Sequence, residues 1–175
     1  MKNLYVTVIG SSANVPSHIL KLAYQVGLEL GKRGAILVCG GRGGIMETVA
    51  KGAKEAGGIT IGILPGLTRE EANKYIDIAI PTGMGHARNV INVLSGDVVI
   101  VIHGGPGTLS EVGLALAYSK PVVVLRGSGG VADLVAGRTI GSSTVYVANS
   151  PSEAVKKAIE LVEQKKRSDI NYSKC

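Results

Sequence analysis

An apolar run, Asp97–Ile102 (DVVIVI), passes directly into His103–Glu111 (HGGPGTLSE). A short run of β-branched residues with no polar alternation reads as a strand buried on both faces, the kind found in parallel sheets. The glycines after it turn the chain, and a helical pattern follows. The sequence predicts that Thr108 opens this helix and that Glu111 stands in its first turn. Such a turn gathers unpaired backbone N–H groups and the positive end of the helix dipole at one point. That point suits a phosphate. An acid beside it is not placed to attract an anion. The partner expected for Glu111 is a sugar hydroxyl, a developing cation or a water.

The same strand-to-helix unit repeats along the chain. Strands are expected at Leu4–Ile9, Ala35–Cys39, Ile59–Leu64, Tyr75–Ile80, Asp97–Ile102, Pro121–Leu125 and Thr144–Val147. Helical spacing of apolar residues falls between them, at Ile19–Leu30, Gly44–Ala56, Met84–Leu94 and Thr108–Ser119. Gly31 and Gly34 are expected to end the first of these helices. Shorter helices are expected at Thr68–Asn73 and Gly130–Ala136. Ser152–Gln164 carries an apolar stripe through Ala154, Val155, Ala158, Ile159 and Val162. The expected fold is a single-domain, Rossmann-like α/β structure, a doubly wound parallel sheet with helices on both faces. The domain is expected over 1–167, with 168–175 a flexible tail.

Composition agrees with this fold class. The 175 residues are 45% hydrophobic, with 25 glycines and no Phe or Trp. The core must therefore be Val, Ile, Leu and Ala. The net charge of +6 raises a nucleic-acid reading. No basic run exceeds Lys165-Lys166-Arg167, and aromatics for base stacking are scarce, so no nucleic-acid partner is expected. The two cysteines, Cys39 and Cys175, make neither a disulfide framework nor a zinc motif. No signal peptide and no membrane-spanning run is read, which points to a cytoplasmic protein with no membrane partner.

Three glycine-rich turns follow strand ends: Gly10-Ser11-Ser12, Gly40–Gly44 (GGRGG) and Gly104–Gly107. In a doubly wound sheet such ends border one ligand crevice. None matches the P-loop or the nucleophile elbow, and Gly127–Ala132 comes too late for a dinucleotide fingerprint. No His, Asp or Glu cluster has metal-ligand spacing. Arg88 lies early in a predicted helix, where the dipole disfavours a cation. An anionic ligand or Glu111 would explain it, as would an exposed surface position. His86 and His103 flank the same predicted cleft, with their roles open.

Taken together these residues resemble the Lonely Guy (LOG) phosphoribohydrolase family and its wider superfamily. That family carries P-G-G-x-G-T-x-x-E after a strand and M-x-x-R-K upstream. Gly104, Gly105, Gly107, Thr108 and Glu111 match the first motif, with His103 in place of its proline. Arg88 matches the arginine, fifteen positions before His103. Gly40–Ala50 (GGRGGIMETVA) resembles the family's G-G-x-x-G-[LI]-M-x-x-V-A. Val8–Ser12 and Gly57–Pro65 resemble its first turn and third strand. Asn89 replaces the family lysine, and Ala87 stands where many members have glutamate. The pattern A-R-N-x-x-N followed by G-G-P-G-T-L-S-E is similar to a sister branch that includes molybdenum-cofactor carrier proteins.

The resemblance implies two functions. One is hydrolysis of the N-glycosidic bond of a nucleoside 5′-monophosphate, giving base and ribose 5-phosphate. The other is non-catalytic carriage of a nucleotide or pterin. In the first, Glu111 and Arg88 are the catalytic pair. Phosphate and nucleotide contacts are expected from Gly10, Ser11, Ser12, Gly40, Gly41, Gly43, Gly44, Asn89, Gly104, Gly105, Gly107 and Thr108. No metal and no organic cofactor is implied. The partner is a small phosphate-bearing ligand, and relatives suggest a homodimer or higher homo-oligomer.

Overall fold

A computed structural model describes residues 4–12 and 14–172. Eight strands form one sheet in the order β4-β3-β2-β1-β5-β6-β8-β7. In sequence these are β1 Tyr5–Gly10, β2 Ile36–Cys39, β3 Thr60–Leu64, β4 Ile78–Pro81, β5 Val98–Ile102, β6 Val122–Leu125, β7 Thr139–Ile140 and β8 Ser143–Ala148. All neighbouring pairs are parallel except β7 with β8. The helices are α1 Ser17–Lys32, α2 Ile45–Glu55, α3 Asn89–Ser95, α4 Pro106–Ala117, α5 Gly130–Val135 and α6 Pro151–Tyr172.

Alternate residues of each central strand feed two cores. Val98, Ile100 and Ile102 of β5 pack with Val6 and Val8 of β1 under α1, α2 and α6. Val99 and Val101, with Ile9, pack under α3, α4 and α5 on the other face. Period-2 alternation in which both sets are apolar is what a doubly wound sheet requires. The chain winds outward from β1 through β2, β3 and β4, then returns to the far side of β1 as β5. The direction of winding reverses between β1 and β5, and the carboxyl ends of β2, β1 and β5 lie side by side. The three glycine-rich turns therefore share one edge of the sheet.

Several expected boundaries move, each for a local reason. Residues 75–77 are not strand: Tyr75 N–H donates to Asn73 Oδ1, and Asn73 N–H donates to the Gly41 carbonyl. That turn delays β4 to Ile78. Gly31 lies inside α1, and Gly34, at φ +66°, follows the helix end. The helix expected at Met84–Leu94 is split into a 3₁₀ turn, Gly85–Arg88, and α3. Helix α4 starts at Pro106, two residues before Thr108, because proline is preset for the first helical position. Glu111 thus stands in the second turn, not the first. The two-residue strand β7 goes unseen in the sequence. Helix α6 runs to Tyr172, past the expected end at Gln164. Cys175 lies outside the described residues, and no described helix is long and apolar enough to cross a membrane.

Candidate functional site

A cleft of about 300 Å³ opens at the carboxyl ends of β1, β2 and β5. Its wall includes Gly10, Ser11, Ser12, Gly40, Arg88, Asn89, Gly105, Gly107, Thr108 and Glu111. Ten of the fourteen residues expected at the site therefore meet in one hollow. A second lobe adjoins it past Arg88, lined by Ser12, Arg42, Gly43, Met46 and His86 among others. Gly43 belongs to that lobe.

The remaining three glycines serve the fold. Gly41 backs onto Gly62 and Leu64 of β3, where a β-carbon would come within 3.0 Å of both. Gly44, at φ +64°, lies against the backbone of Ser11 and Ser12. The first N–H of α2, from Ile45, is already taken by the Ser11 carbonyl at 3.0 Å. The GGRGG turn thus braces the β1 turn, while the next two N–H groups of α2, from Met46 and Glu47, precede its first intrahelical bond. Gly104, at φ +113°, packs on Thr108, and its carbonyl accepts from Val131 N–H.

The start of α4 borders the cleft. No side chain caps it, and Pro106 has no N–H to give. Leu109 N–H bonds the Gly105 carbonyl at 3.0 Å, while Gly107 and Thr108 precede the first intrahelical bond. Their N–H groups stand at the positive end of a 12-residue helix. Gly105 has an ordinary extended φ of −119°, and nothing lies within 4 Å of where its β-carbon would be. The same space is open at Gly107. Neither position needs glycine for the fold. Bare Cα atoms here leave room for a ligand to approach the backbone closely.

Glu111 lies on the cleft floor, only 6% exposed. Its Oε1 accepts from Asn92 Nδ2 at 2.8 Å and lies 3.7 Å from Arg88 Nη1. Burial raises the Glu111 pKa, against the opposing effects of Asn92 and Arg88. Burial also pulls the Arg88 pKa below its ordinary value, although Glu111 opposes it. Both shifts say the same thing: the two charges are taken from water without close pairing in return. A carboxylate held this way interacts strongly with any positive charge that develops nearby.

Arg88 is placed by glycine. A β-carbon on Gly40 would lie 2.6 Å from Arg88 Nη2, 2.7 Å from Nη1 and 2.6 Å from Met46 Sδ. Gly40 is the floor on which the guanidinium rests. Asn89 is buried and donates to Ser110 Oγ at 2.9 Å, which ties the start of α3 to α4. Cys39, below the turn, is fully buried, and burial pushes its thiol up to about 11. It is a packing residue, as its apolar run suggests.

The two histidines part company. His86 is exposed at the rim of both lobes. His103 is a strut: its Nδ1 meets Ser11 Oγ at 2.9 Å and its N–H donates to Ser128 Oγ at 2.8 Å. Its φ is +59°. Proline is fixed near −65°, so it cannot take this conformation. The turn after β5 is therefore not the one a proline would make here. Asn92 is the residue the sequence reading missed. Its spacing, one helical turn after Arg88, is the signal that points to it.

The model of the SLOG cluster4 family matches residues 3–155. A cytokinin riboside 5′-monophosphate phosphoribohydrolase of Mycobacterium tuberculosis is 35% identical over 130 residues, which is 68% of this chain and 70% of that protein. A molybdenum cofactor binding protein from Rippkaea orientalis superposes with a TM-score of 0.82 at 39% identity, covering 93% of this chain and 99% of its own. The molybdenum cofactor carrier protein of Chlamydomonas reinhardtii gives 0.82 at 37% identity, with 92% and 99% coverage.

Proposed function

The chain belongs to the SLOG cluster4 family, within the LOG superfamily and near its molybdenum-cofactor carriers, and from that premise we propose that it binds a nucleoside 5′-monophosphate and hydrolyses the N-glycosidic bond. The single observation that carries the reading is the uncapped start of α4, with open space over Gly105 and Gly107, a short reach from the buried Glu111. Phosphate sits on the N–H groups of Gly107 and Thr108. The sugar lies toward the cleft floor.

In this reading the C1′–N bond breaks and its electron pair leaves with the base. The sugar becomes cationic as the bond lengthens, as in glycoside hydrolysis generally. The Glu111 carboxylate stabilises that charge. Water adds its oxygen to C1′, one of its protons ends on the base, and ribose 5-phosphate results. Arg88, 3.7 Å from Glu111, favours its ionised form against the burial that raises its pKa. The test is incubation with AMP and other purine monophosphates. Free base and ribose 5-phosphate in equal amounts support the reading. Binding without any product refutes it.

The carrier reading has its own support. The molybdenum-cofactor proteins match more than nine-tenths of this chain, and His103 makes a turn that proline cannot. Binding of a pterin phosphate in preference to AMP would favour it. Exposed Leu94 on α3 and Leu109 on α4, two packed helices beside the cleft, fit a homodimer. Sedimentation equilibrium tests this, and a monomer at micromolar concentration refutes it.

A further inference from the structure

The lobe past Arg88 is the larger of the two hollows, about 560 Å³ against about 300 Å³ for the cleft. They share Ser12, Met46, His86 and Arg88, so one ligand can reach both. The start of α4 lines the cleft and not the lobe. With phosphate on α4 and the sugar on the cleft floor, the lobe has no assigned part. Its lining is cationic: Arg42, His86 and Arg88 border it, and among the described residues that line it none is acidic. Among the described residues, no carboxylate lies within ion-pair distance of Arg42 or His86. Arg88 has Glu111 at 3.7 Å, but Glu111 lines the cleft alone. The two hollows thus hold two arginines against one carboxylate, and the uncompensated charge stands on the lobe side. The arginines also feel each other. Burial lowers the Arg88 pKa, Glu111 opposes this, and the charge of Arg42 lowers it further. Like charges around one hollow repel, and an anion between them removes that repulsion.

Arg42 is presented to the lobe by its backbone. Asn73 Nδ2 donates to the Arg42 carbonyl at 2.9 Å and to the Gly41 carbonyl at 3.1 Å, and Asn73 N–H donates to the Gly41 carbonyl at 2.8 Å. The turn is pinned while the Arg42 side chain is exposed. A neutral base brings no charge to such a lobe, and a metal cation is repelled by it. Guanidinium groups match the oxygens of a phosphate two at a time. We infer that the lobe is a second anion subsite, so that the protein takes a nucleoside bisphosphate whose second phosphate is carried on the 2′ or 3′ oxygen, beyond the sugar. The 5′-phosphate stays on α4. The second phosphate passes Arg88 and lies between Arg88 and Arg42, with His86 at the rim. A phosphate added to the first, as in a 5′-diphosphate, remains on the α4 side and does not reach Arg42. The inference rests on the nucleotide reading above and names the feature that distinguishes the preferred ligand from a plain monophosphate.

The experiment is calorimetric titration of the full chain with AMP, ADP, adenosine 2′,5′-bisphosphate and adenosine 3′,5′-bisphosphate. An ionic strength of about 0.15 M screens charges that do not touch the ligand. At least one bisphosphate is expected to bind at least about tenfold more tightly than AMP, the worth of a charged hydrogen bond. The two bisphosphates tell which oxygen carries the phosphate. ADP is expected to stay within about threefold of AMP. In Arg42→Gln the advantage of the bisphosphate over AMP is expected to shrink to within about threefold. A purely structural effect of that substitution would weaken all ligands alike and leave the ratio unchanged, which overturns the assignment. An equal gain for ADP also overturns it, because position would then not matter. Equal affinity of AMP and both bisphosphates overturns it while leaving the nucleotide reading intact. Binding of none of the four removes the nucleotide reading and the assignment together. Should Arg42→Gln fail to fold, the contrast between the bisphosphates and ADP in the wild type decides alone.

Discussion

Replacing Gly40 by alanine separates function from stability in this protein. The new methyl would lie 2.6 and 2.7 Å from the two terminal nitrogens of Arg88 and 2.6 Å from Met46 Sδ. Non-bonded heavy atoms prefer about 3.5–4.0 Å, so the guanidinium must retreat by about 1 Å. Both neighbours are the far ends of flexible side chains, which can move without shifting backbone. The stability cost therefore falls at the low end of the overpacking range, about 1 kcal/mol. For a chain of this size that is a fall in Tm of roughly 2–4 °C. Arg88 stands 3.7 Å from Glu111, and a shift of about 1 Å alters that spacing. A misplacement of that size near reacting groups costs about 10²-fold in turnover. The assay pairs thermal melting with AMP titration and, where product forms, initial rates. Gly10→Ala is the contrast: its methyl would strike the Ile102 carbonyl and Ile45, so it should damage the fold itself. The reasoning is refuted if Gly40→Ala leaves AMP binding and turnover intact, or if its melting point drops as far as that of Gly10→Ala.

Other consequences follow from the same geometry. Glu111→Gln keeps an acceptor for Asn92 but removes the charge, so it should abolish turnover while AMP affinity changes by less than about threefold. Because burial raises the Glu111 pKa, the carboxylate protonates at a higher pH than the ordinary glutamate value of 4.5. Turnover should fall with decreasing pH along a limb whose midpoint lies above that value. A limb at or below it contradicts the assignment. Arg88→Ala should weaken AMP binding by about tenfold or more, since a charged hydrogen bond to bound ligand is lost; unchanged affinity in titration tells against it. Gly105→Ala fills space that nothing in the protein occupies. It should leave the melting point within about 2 °C and still cut AMP affinity at least about tenfold by blocking approach to the backbone. Full affinity would mean the ligand does not come near Gly105.

The sheet was legible because its strands are apolar on both faces, and few other structures bury runs such as DVVIVI and PVVVL. The glycine turns pointed correctly to one edge. What the sequence did not disclose was why each glycine is there. Gly40 clears space for Arg88, Gly41 and Gly44 let backbones meet, and Gly105 and Gly107 leave the cleft open. All five look alike as letters, and only contacts distinguish them. Glu111 was placed one turn too early because Pro106 reads as a loop residue, although it is equally at home in the first position of a helix. Asn92 was missed because its spacing after Arg88 is a weak signal, and a buried asparagine is identified mainly by its partners. Its free Oδ1 and its bond to Glu111 exist in space and not in the local pattern.

The measurement that bears most directly on the account is the affinity of AMP against that of adenosine, by calorimetry under one buffer and salt condition. The two ligands share base and sugar and differ only in the phosphate. If the uncapped start of α4 holds that phosphate, AMP binds at least about tenfold more tightly than adenosine, the worth of one charge-assisted hydrogen bond or more. Equal affinities would contradict the account, because the N–H groups of Gly107 and Thr108 would then have no part in binding.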